Sequence, residues 1–172
     1  MFVIAREAQN SPMAEVILYH YELSPFSEKR RRIPAFKRIP WHSVETPLLP
    51  LKADLTALTG PYRHAPVMQI GADVYRDSAS IEQLFPEPSI LPSAVAGAVA
   101  ILESRADHRL VHQVTPPVAM ELLDAFPPGF FKDRANMTAN WSREAFIKAA
   151  PYGLEGTRQA LDALAAHLGS NT

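Results

Sequence analysis

One corner of this sequence has a clear chemical use, because it places a serine at the start of a helix. Residues 16–19 are apolar, with β-branched and aromatic side chains, which predicts a buried strand. Ser24 follows, and Pro25 after it suits the first helical position, since its φ is fixed and its missing N–H is not needed there. Glu28 falls in the first turn, where a carboxylate opposes the helix dipole favourably. The Ser24 hydroxyl is therefore expected beside the free N–H groups of a helix start, where an anion binds readily.

Two more short motifs follow this corner along the chain. Ala65-Pro66-Val67 introduces a predicted β-hairpin with a turn at Gly71. The pair Asp77-Ser78 opens the next predicted helix, and both residues are typical N-caps. Taken singly, each motif also has a purely structural interpretation, as a proline at a strand entry or as helix caps. Their order behind Ser24 makes them candidates for a common site.

The elements that must position these motifs alternate between strand and helix. The predicted order is β-α-β-α-β-β-α, which gives parallel pairing through a helical crossover and then an antiparallel hairpin. We expect a small mixed sheet with helices on both faces. Pro34 is expected to kink or shorten the first helix, and Asp54 to cap the second. The predicted strands are about Glu15–His20, Trp41–Thr46, Ala65–Ile70 and Val74–Arg76, and the predicted helices are about Pro25–Arg38, Asp54–Thr59 and Ala79–Phe85.

The second half of the chain is predicted to be helical. Apolar residues follow helical spacing from Val95 to Val114, and Pro116-Pro117 is expected to end that helix. The leucines of a last helix lie on one face, and their exposure would favour association. The other predicted helices are Val118–Phe126, Ser142–Ala150 and Leu154–Leu168. The predicted domains are a flexible extension at residues 1–13, an α/β domain at 14–85, a proline-rich linker at 86–92 and an all-α domain at 93–172.

Composition excludes several classes of function. The 172 residues are 47% hydrophobic with a net charge of −1, which favours a packed core and argues against binding nucleic acid through bulk charge. There is no cysteine, so disulfides, thiolate metal sites and cysteine nucleophiles are excluded. No apolar run approaches the roughly 18 residues of a membrane span, and residues 1–14 lack the apolar segment of a signal peptide. We therefore expect a cytoplasmic protein that binds neither nucleic acid nor membrane.

Taken together, these motifs resemble the glutathione transferases. The corner Ser24-Pro25-Phe26-Ser27, the segment Ala65-Pro66-Val67 and the pair Asp77-Ser78 stand in the order of that family's N-terminal domain, and an all-helical domain follows them. The resemblance covers about Ala14–Phe85 well and continues more loosely to the end. It implies a thioredoxin-like glutathione-binding domain, followed by a helical C-terminal domain that is truncated relative to the family.

The resemblance also implies a role for each motif. Ser24 matches the residue that hydrogen-bonds the sulfur of glutathione, and Phe26 lies beside it in the binding set. Ala65-Pro66-Val67 matches the cis-proline loop that pairs with the cysteinyl part. Asp77-Ser78 matches the pair that holds the γ-glutamyl end, with Asp77 accepting from its amino group and Ser78 binding its carboxylate. The implied activity is conjugation of glutathione, as co-substrate, to an electrophilic small molecule in detoxification, without a metal, in a protein whose relatives are commonly homodimers.

Several alternatives stay open. Tyr21 is a second candidate for activating the thiol, since some branches of the family use a tyrosine near the first strand. The four consecutive cations at residues 29–32 are interpreted as a solvated helix face rather than an RNA or membrane site. His108 and His112 have metal-ligand spacing but lack an obvious third ligand, so no metal is expected. The alternative function is a non-catalytic glutathione-binding or protein-interaction module on the same fold.

Overall fold

The computed structural model describes residues 15–50, 52–76, 89–90, 93–136 and 141–169. The chain divides into two compact units, residues 1–88 and 89–172. The predicted helix Ala79–Phe85, the extension at 1–13 and most of the predicted linker lie outside the described residues. The elements of the first unit are β1 (Val16–His20), α1 (Pro25–Phe36), β2 (His42–Glu45), α2 (Ala53–Thr59), β3 (Val67–Ile70) and β4 (Asp73–Tyr75).

The sheet of the first unit has the predicted mixed topology. Its strand order is β2-β1-β3-β4, with β1 parallel to β2, and β3 antiparallel to both β1 and β4. Alternate residues of β1, beginning with Val16, are buried, as expected for a central strand. Leu18 is fully buried and packs with Val16 and Met68 in the core. Burial of a side chain of that size stabilises the fold by about 1.5–3 kcal/mol.

Two predictions concern the helices of this unit, namely the effect of Pro34 on α1 and the capping of α2 by Asp54. Helix α1 contains Pro34 and continues past it to Phe36, so it ends two residues before the predicted Arg38. Pro34 is buried and its carbonyl accepts the N–H of Ile39 over 2.9 Å. The prediction that Asp54 caps α2 is wrong. The N-cap is Lys52, which makes no side-chain capping bond, and Asp54 lies inside the first turn, where its charge suits the helix dipole.

The second unit is helical in its described parts. A nearly continuous helical run consists of α3 (Ala96–Arg105), a π-helical segment (Ala106–Leu110) and α4 (Val111–Glu121). It is followed by α5 (Phe130–Ala135) and the long helix α6 (Arg143–Gly169). Aromatic rings of α5 and the start of α6 pack in edge-on and stacked pairs, with centroids 4.3–6.2 Å apart, and these rings belong to Phe126, Phe130, Phe131, Trp141 and Phe146.

Two breaks between predicted helices are absent from the described residues. Helix α4 runs through Pro116-Pro117, so the predicted end there and the separate helix Val118–Phe126 are wrong. Helix α6 likewise joins the two predicted helices through Pro151. Pro117 has no N–H for the Gln113 carbonyl, and that carbonyl lies against Gly153 of α6. Because Gly153 has no Cβ, the helices pack closely, and this packing outweighs a local proline cost of roughly 3 kcal/mol.

The leucines of α6 are exposed. Their exposed fractions are 51% for Leu154, 54% for Leu161, 50% for Leu164 and 58% for Leu168. Each is an apolar side chain that water contacts over about half of its surface. Together they form an apolar stripe along the last turns of the described helix, a kind of surface that favours association.

Candidate functional site

Ser24 lies where a tight turn meets helix α1. The turn spans Tyr21–Ser24, and the Ser24 N–H donates to the Tyr21 carbonyl over 3.3 Å. Ser24 has an extended backbone, with φ −91° and ψ 124°, and its Oγ accepts the Ser27 N–H over 3.3 Å. This geometry defines a helix N-cap, so the predicted arrangement of strand, corner and helix is confirmed.

The cap leaves two hydrogen-bond donors unused at the start of α1. The Ser27 and Glu28 N–H groups bond to the Oγ and the carbonyl of Ser24, and Pro25 has no N–H. The Phe26 N–H has no partner within the described ranges. The Ser24 Oγ acts as an acceptor in the cap, so its hydroxyl hydrogen is left to donate, and no acceptor contacts it in the same part of the chain. A partly exposed hydroxyl beside an unused helix N–H can bind an anion.

The proline loop precedes β3 and lies at the end of the sheet where β1 ends. Tyr19 of β1 is opposite Val67 of β3, so the chain that continues from β1 to Ser24 passes the start of β3. The Ala65–Pro66 peptide bond is cis, as the resemblance implies, and Pro66 and Val67 are buried. The Tyr19 hydroxyl donates to Gln69 over 3.2 Å, and burial, with a smaller contribution from the Asp54 charge, raises the pKa of Tyr19. The pairing of β1 with β3 therefore brings the Ser24 corner and the proline loop to the same end of these two strands.

A buried tyrosine and a buried lysine link the turn to this loop. The Tyr21 hydroxyl donates to the Arg63 carbonyl over 3.1 Å. The Lys52 ammonium donates to the Tyr21 oxygen and, over 3.2 Å, to the same Arg63 carbonyl. Tyr21 is 8% exposed and Lys52 4%. The Tyr21 hydroxyl hydrogen is thus used within the protein. Sequence reasoning did not single out Lys52, because one lysine before a short helix carries no recognisable signal.

A second polar network holds the turn from the side of α1. Arg31 Nη1 lies 3.0 Å from Glu22 Oε2 and 3.1 Å from His20 Nδ1, and Nη2 donates to the Glu22 carbonyl over 3.1 Å. Arg31 Nε also donates to Glu28 Oε2 over 2.9 Å. The other ring nitrogen of buried His20 lies 2.7 Å from Ser43 Oγ. Because arginine only donates, His20 Nδ1 accepts, so Nε2 carries the hydrogen and donates to Ser43.

The prediction that residues 29–32 form one solvated face is wrong. Arg30 is fully buried and the Arg31 side chain is 19% exposed, whereas that of Arg32 is 79% exposed. Consecutive helical residues are rotated by about 100°, so four in a row cannot share a face. The hydrogen bond from Arg31, supported by the charges of Arg31 and Arg32, lowers the pKa of the Glu28 carboxyl.

Asp77 and Ser78 lie outside the described residues. The structure follows β4 to Tyr75, which is opposite Met68, next to Val67 at the start of β3. The last described residue of this stretch is Arg76, whose carbonyl lies 3.4 Å from the Tyr62 hydroxyl. The assignment of Asp77-Ser78 to the γ-glutamyl end stays a prediction.

Neither a metal site nor a membrane span is found in the described ranges. No group of three or more His, Cys, Asp or Glu residues is arranged there to hold a metal ion. His108 lies in the π-helical segment, with Nδ1 2.9 Å from the Ser104 carbonyl, and His112 lies in α4. No helix within these ranges has the length and apolar character that a bilayer span requires.

A mixed sheet, a serine-capped first helix and a cis-proline loop define a thioredoxin-like domain, and a helical unit follows it in the chain. Residues 18–88 match the family model described as glutathione S-transferase, N-terminal domain. Over these residues the chain is similar to the N-terminal domain of the glutathione S-transferases. The predicted fold class is confirmed and the predicted resemblance to this family is supported, whereas the roles assigned to individual residues stay predictions.

The chain is also similar to several solved structures. A GST-like protein from Pseudomonas syringae is 44% identical over 60% of this chain and 40% of its own, with a TM-score of 0.54. A glutathione S-transferase from Rhodospirillum rubrum F11 is 23% identical over 82% and 62% of the two chains, with a TM-score of 0.59. A Tau class glutathione S-transferase from mango, Mangifera indica, is 15% identical over 87% and 60%, with a TM-score of 0.60.

The extent of these matches limits what they establish. The two structures below 25% identity show a shared fold. The chain spans 40%, 62% and 60% of the three solved chains, less than two thirds of each. No curated protein sequence matches the chain. Activity, substrates and partners are therefore a matter of proposal.

Proposed function

We propose that this chain binds glutathione and activates its thiol for conjugation to an electrophilic small molecule. The observation that supports the proposal best is a pair of donors at the start of α1, the Ser24 hydroxyl and the Phe26 N–H, for which the described residues provide no acceptor. In the proposed step the thiol gives its proton to water, and the thiolate sulfur forms a bond to an electrophilic carbon. The electron pair of the bond that breaks leaves with the leaving group or moves onto the activated double bond. Detoxification in the cytoplasm is the setting that this chemistry fits.

The expected energies are sufficient for this chemistry. A free thiol has a pKa of about 8.5, and only the thiolate is nucleophilic. Lowering that pKa by about two units requires roughly 2.7 kcal/mol. A hydrogen bond from the Ser24 hydroxyl to the anion would contribute about 1.5–3 kcal/mol. The start of helix α1, with the Phe26 N–H, would add about 0.3–2 kcal/mol.

The rest of the glutathione molecule is proposed to lie along the same edge of the sheet. Ala65-Pro66-Val67 would pair with its cysteinyl part through the backbone, and the pairing of Tyr19 with Val67 supports this by placing the loop beside the corner. Asp77-Ser78 would hold the γ-glutamyl end. These assignments follow the order of the motifs in the family.

Two substitutions test the proposal, because they separate the capping role of the Ser24 oxygen from the donor role of its hydroxyl hydrogen. Ser24→Ala removes the capping oxygen and the donor, so we expect a loss of about 1 kcal/mol of stability and a fall in turnover of about 10- to 100-fold. Ser24→Asp keeps a capping oxygen but offers no donor at neutral pH, so stability should be retained while turnover is lost. Ser24→Thr, which keeps both, is the control. Turnover that survives in Ser24→Asp would exclude Ser24 as the activating group.

A second candidate is a non-catalytic module that binds glutathione or another copy of this chain. The exposed leucines of α6 favour it, because an apolar stripe of this kind is more often covered than left in water. Sedimentation equilibrium of the wild type and of Leu161→Gln/Leu164→Gln would test self-association as a homodimer. We expect the wild type to form dimers and the dimer dissociation constant of the double variant to be about tenfold higher. A wild-type protein that stays monomeric at all concentrations would exclude the homodimer.

A further inference from the structure

We infer that Arg31 is a positioning residue for Ser24, which it holds in place through the turn that precedes it. The inference rests on the proposed function of Ser24. Ser24, Ser27 and Arg31 are spaced three and four residues apart in α1, so they lie on one face of the helix. Ser27 Oγ accepts the Tyr21 N–H over 3.2 Å, and Arg31 binds the next residue, Glu22. Two side chains of α1 therefore hold the first two residues of the turn, and the Ser24 Oγ bonds the last residue of the turn to the Ser27 N–H.

The guanidinium of Arg31 makes four hydrogen bonds and one further ion-pair contact in this arrangement. Nη1 contacts His20 Nδ1 and Glu22 Oε2, Nη2 contacts the Glu22 carbonyl and, over 2.8 Å, Glu28 Oε2, and Nε donates to the same Glu28 oxygen. A guanidinium has five N–H groups in a rigid fork, and five contacts are made. A lysine offers three donors on one nitrogen, so it keeps the charge but cannot make these contacts together.

His20 makes the arrangement specific for arginine. Its Nδ1 accepts from Arg31, because arginine only donates, and its Nε2 lies 2.7 Å from Ser43 Oγ. His20 is 2% exposed and the Arg31 side chain 19%, so water competes little for the bond between them, whereas the two bonds from Arg31 to Glu22 lie at the surface. The partly buried bond to His20 fixes the guanidinium, and the fixed guanidinium holds the Glu22 carbonyl of the turn. The position of the Ser24 hydroxyl should thus depend on Arg31, although Arg31 is not placed in contact with the ligand.

Arg32 provides a matched control on the same helix. It carries the same charge and also binds Glu28, with Nε 2.9 Å from Oε1, but its side chain is 79% exposed and its described contacts include no residue of the turn. We would compare Arg31→Lys with Arg32→Lys in the full chain. The first readout is amide hydrogen exchange at Ser24, whose N–H closes the turn, and the second is glutathione turnover with kcat and KM measured separately.

The expected result is a change confined to Arg31→Lys. Ser24 amide exchange should be about tenfold faster, because hydrogen bonds to a charged group hold the turn. The kcat should fall about 10- to 100-fold, as expected for a misplaced catalytic group, while KM for glutathione changes less than about threefold. Arg32→Lys should match the wild type in both readouts. A purely structural role for Arg31 would lower thermal stability and leave kcat unchanged at temperatures where the protein is folded.

Failure of the inference and failure of the proposed function can be told apart. If the wild type neither binds nor turns over glutathione, the proposed function is wrong, and the exchange rates alone decide whether Arg31 positions Ser24. If the wild type is active and a folded Arg31→Lys protein keeps its kcat, the inference is wrong. Should Arg31→Lys not fold, Glu22→Ala serves instead, since that side chain is 65% exposed. It should accelerate Ser24 exchange in the same direction by about threefold, and an unchanged rate would overturn the inference.

Discussion

At the scale of single residues, the chemistry of this corner depends on whether the hydrogen of each hydroxyl group is available to a ligand. Ser24 uses its oxygen to accept the Ser27 N–H, so its hydrogen remains for a ligand. Tyr21, the alternative for thiol activation, directs its hydrogen to the Arg63 carbonyl and receives the Lys52 ammonium on its oxygen. The hydrogen-bond pattern therefore favours Ser24 as the activating group and gives Tyr21 a structural use.

This division of roles predicts the behaviour of Tyr21→Phe. The substitution removes one hydrogen-bond partner of the buried Lys52 ammonium and one of the Arg63 carbonyl, which still bond to each other, so we expect a loss of about 1–3 kcal/mol in the free energy of unfolding. Ionisation of bound glutathione, followed by thiolate absorbance, should persist. Tyr19→Phe, which removes only a half-buried bond to Gln69, is the control and should cost less. A loss of thiolate as large as in Ser24→Ala would make Tyr21 the activating group.

The carboxyl of Glu28 predicts a pH dependence of stability. The Arg31 hydrogen bond lowers its pKa in the folded protein, so the stabilisation is complete above the pKa of the unfolded chain, about 4.3, and is lost as pH falls through the lowered value. Glu28→Gln should therefore melt below the wild type at neutral pH, and the two melting temperatures should converge in acid. The difference should be small, because Glu28 is exposed and screened by solvent. A difference that stays constant down to acid pH would contradict this interpretation.

At the scale of elements, the first unit follows from local sequence more closely than the second. The apolar run at residues 16–19, the Ser24-Pro25 corner and the hairpin around Gly71 each form as predicted, because strand burial, capping and turns are decided by neighbours in the chain. Proline breaks are different. Whether a helix passes through Pro116-Pro117 or Pro151 depends on what packs against it, which no local pattern states.

The candidate site divides in the same way. Ser24 could be predicted, since its residue type and its place before Pro25 define a cap. Lys52, Arg31 and His20 could not, because their roles arise from contacts between segments far apart in the chain. Ser24, Ser27 and Arg31 are three and four residues apart, and this spacing predicts a shared helix face. The four consecutive cations at residues 29–32 favoured the different interpretation of a solvated face.

The contact that lets α4 continue through its prolines can be tested at Gly153. A Cβ there would meet the Gln113 carbonyl oxygen directly and lie 3.1 Å from Pro117 Cδ, so Gly153→Ala should cost about 1–3 kcal/mol. At Gly97, near the start of α3, an added methyl would have no atom within 4 Å, so Gly97→Ala should be neutral or stabilise by up to about 1 kcal/mol. Chemical denaturation measures both. Equal effects of the two substitutions would show that close packing at Gly153 is not what supports α4.

At the scale of the whole molecule, recognition and turnover are separate questions. The described residues proposed to touch glutathione all lie in the first unit, between Ser24 and Val67. The electrophile would need further surface, and the chain spans 40–62% of the length of the three solved relatives compared above. Glutathione binding can therefore be correct even where conjugation is not, and an experiment on the intact chain should report binding without depending on turnover.

Thermal unfolding in the presence of glutathione meets that requirement. A ligand that binds only the folded chain at about 100 times its Kd raises the free energy of unfolding by about 2.7 kcal/mol. For a chain of this size each kcal/mol raises Tm by roughly 2–4 °C, so we expect an increase of about 5–11 °C. Ser24→Ala should keep most of the increase, because the sulfur is one of several contacts. S-methyl glutathione, which has no thiol proton, is the matched ligand control. A shift in both proteins without turnover in either would favour the binding module, whereas no shift in a folded wild type would remove glutathione as the ligand.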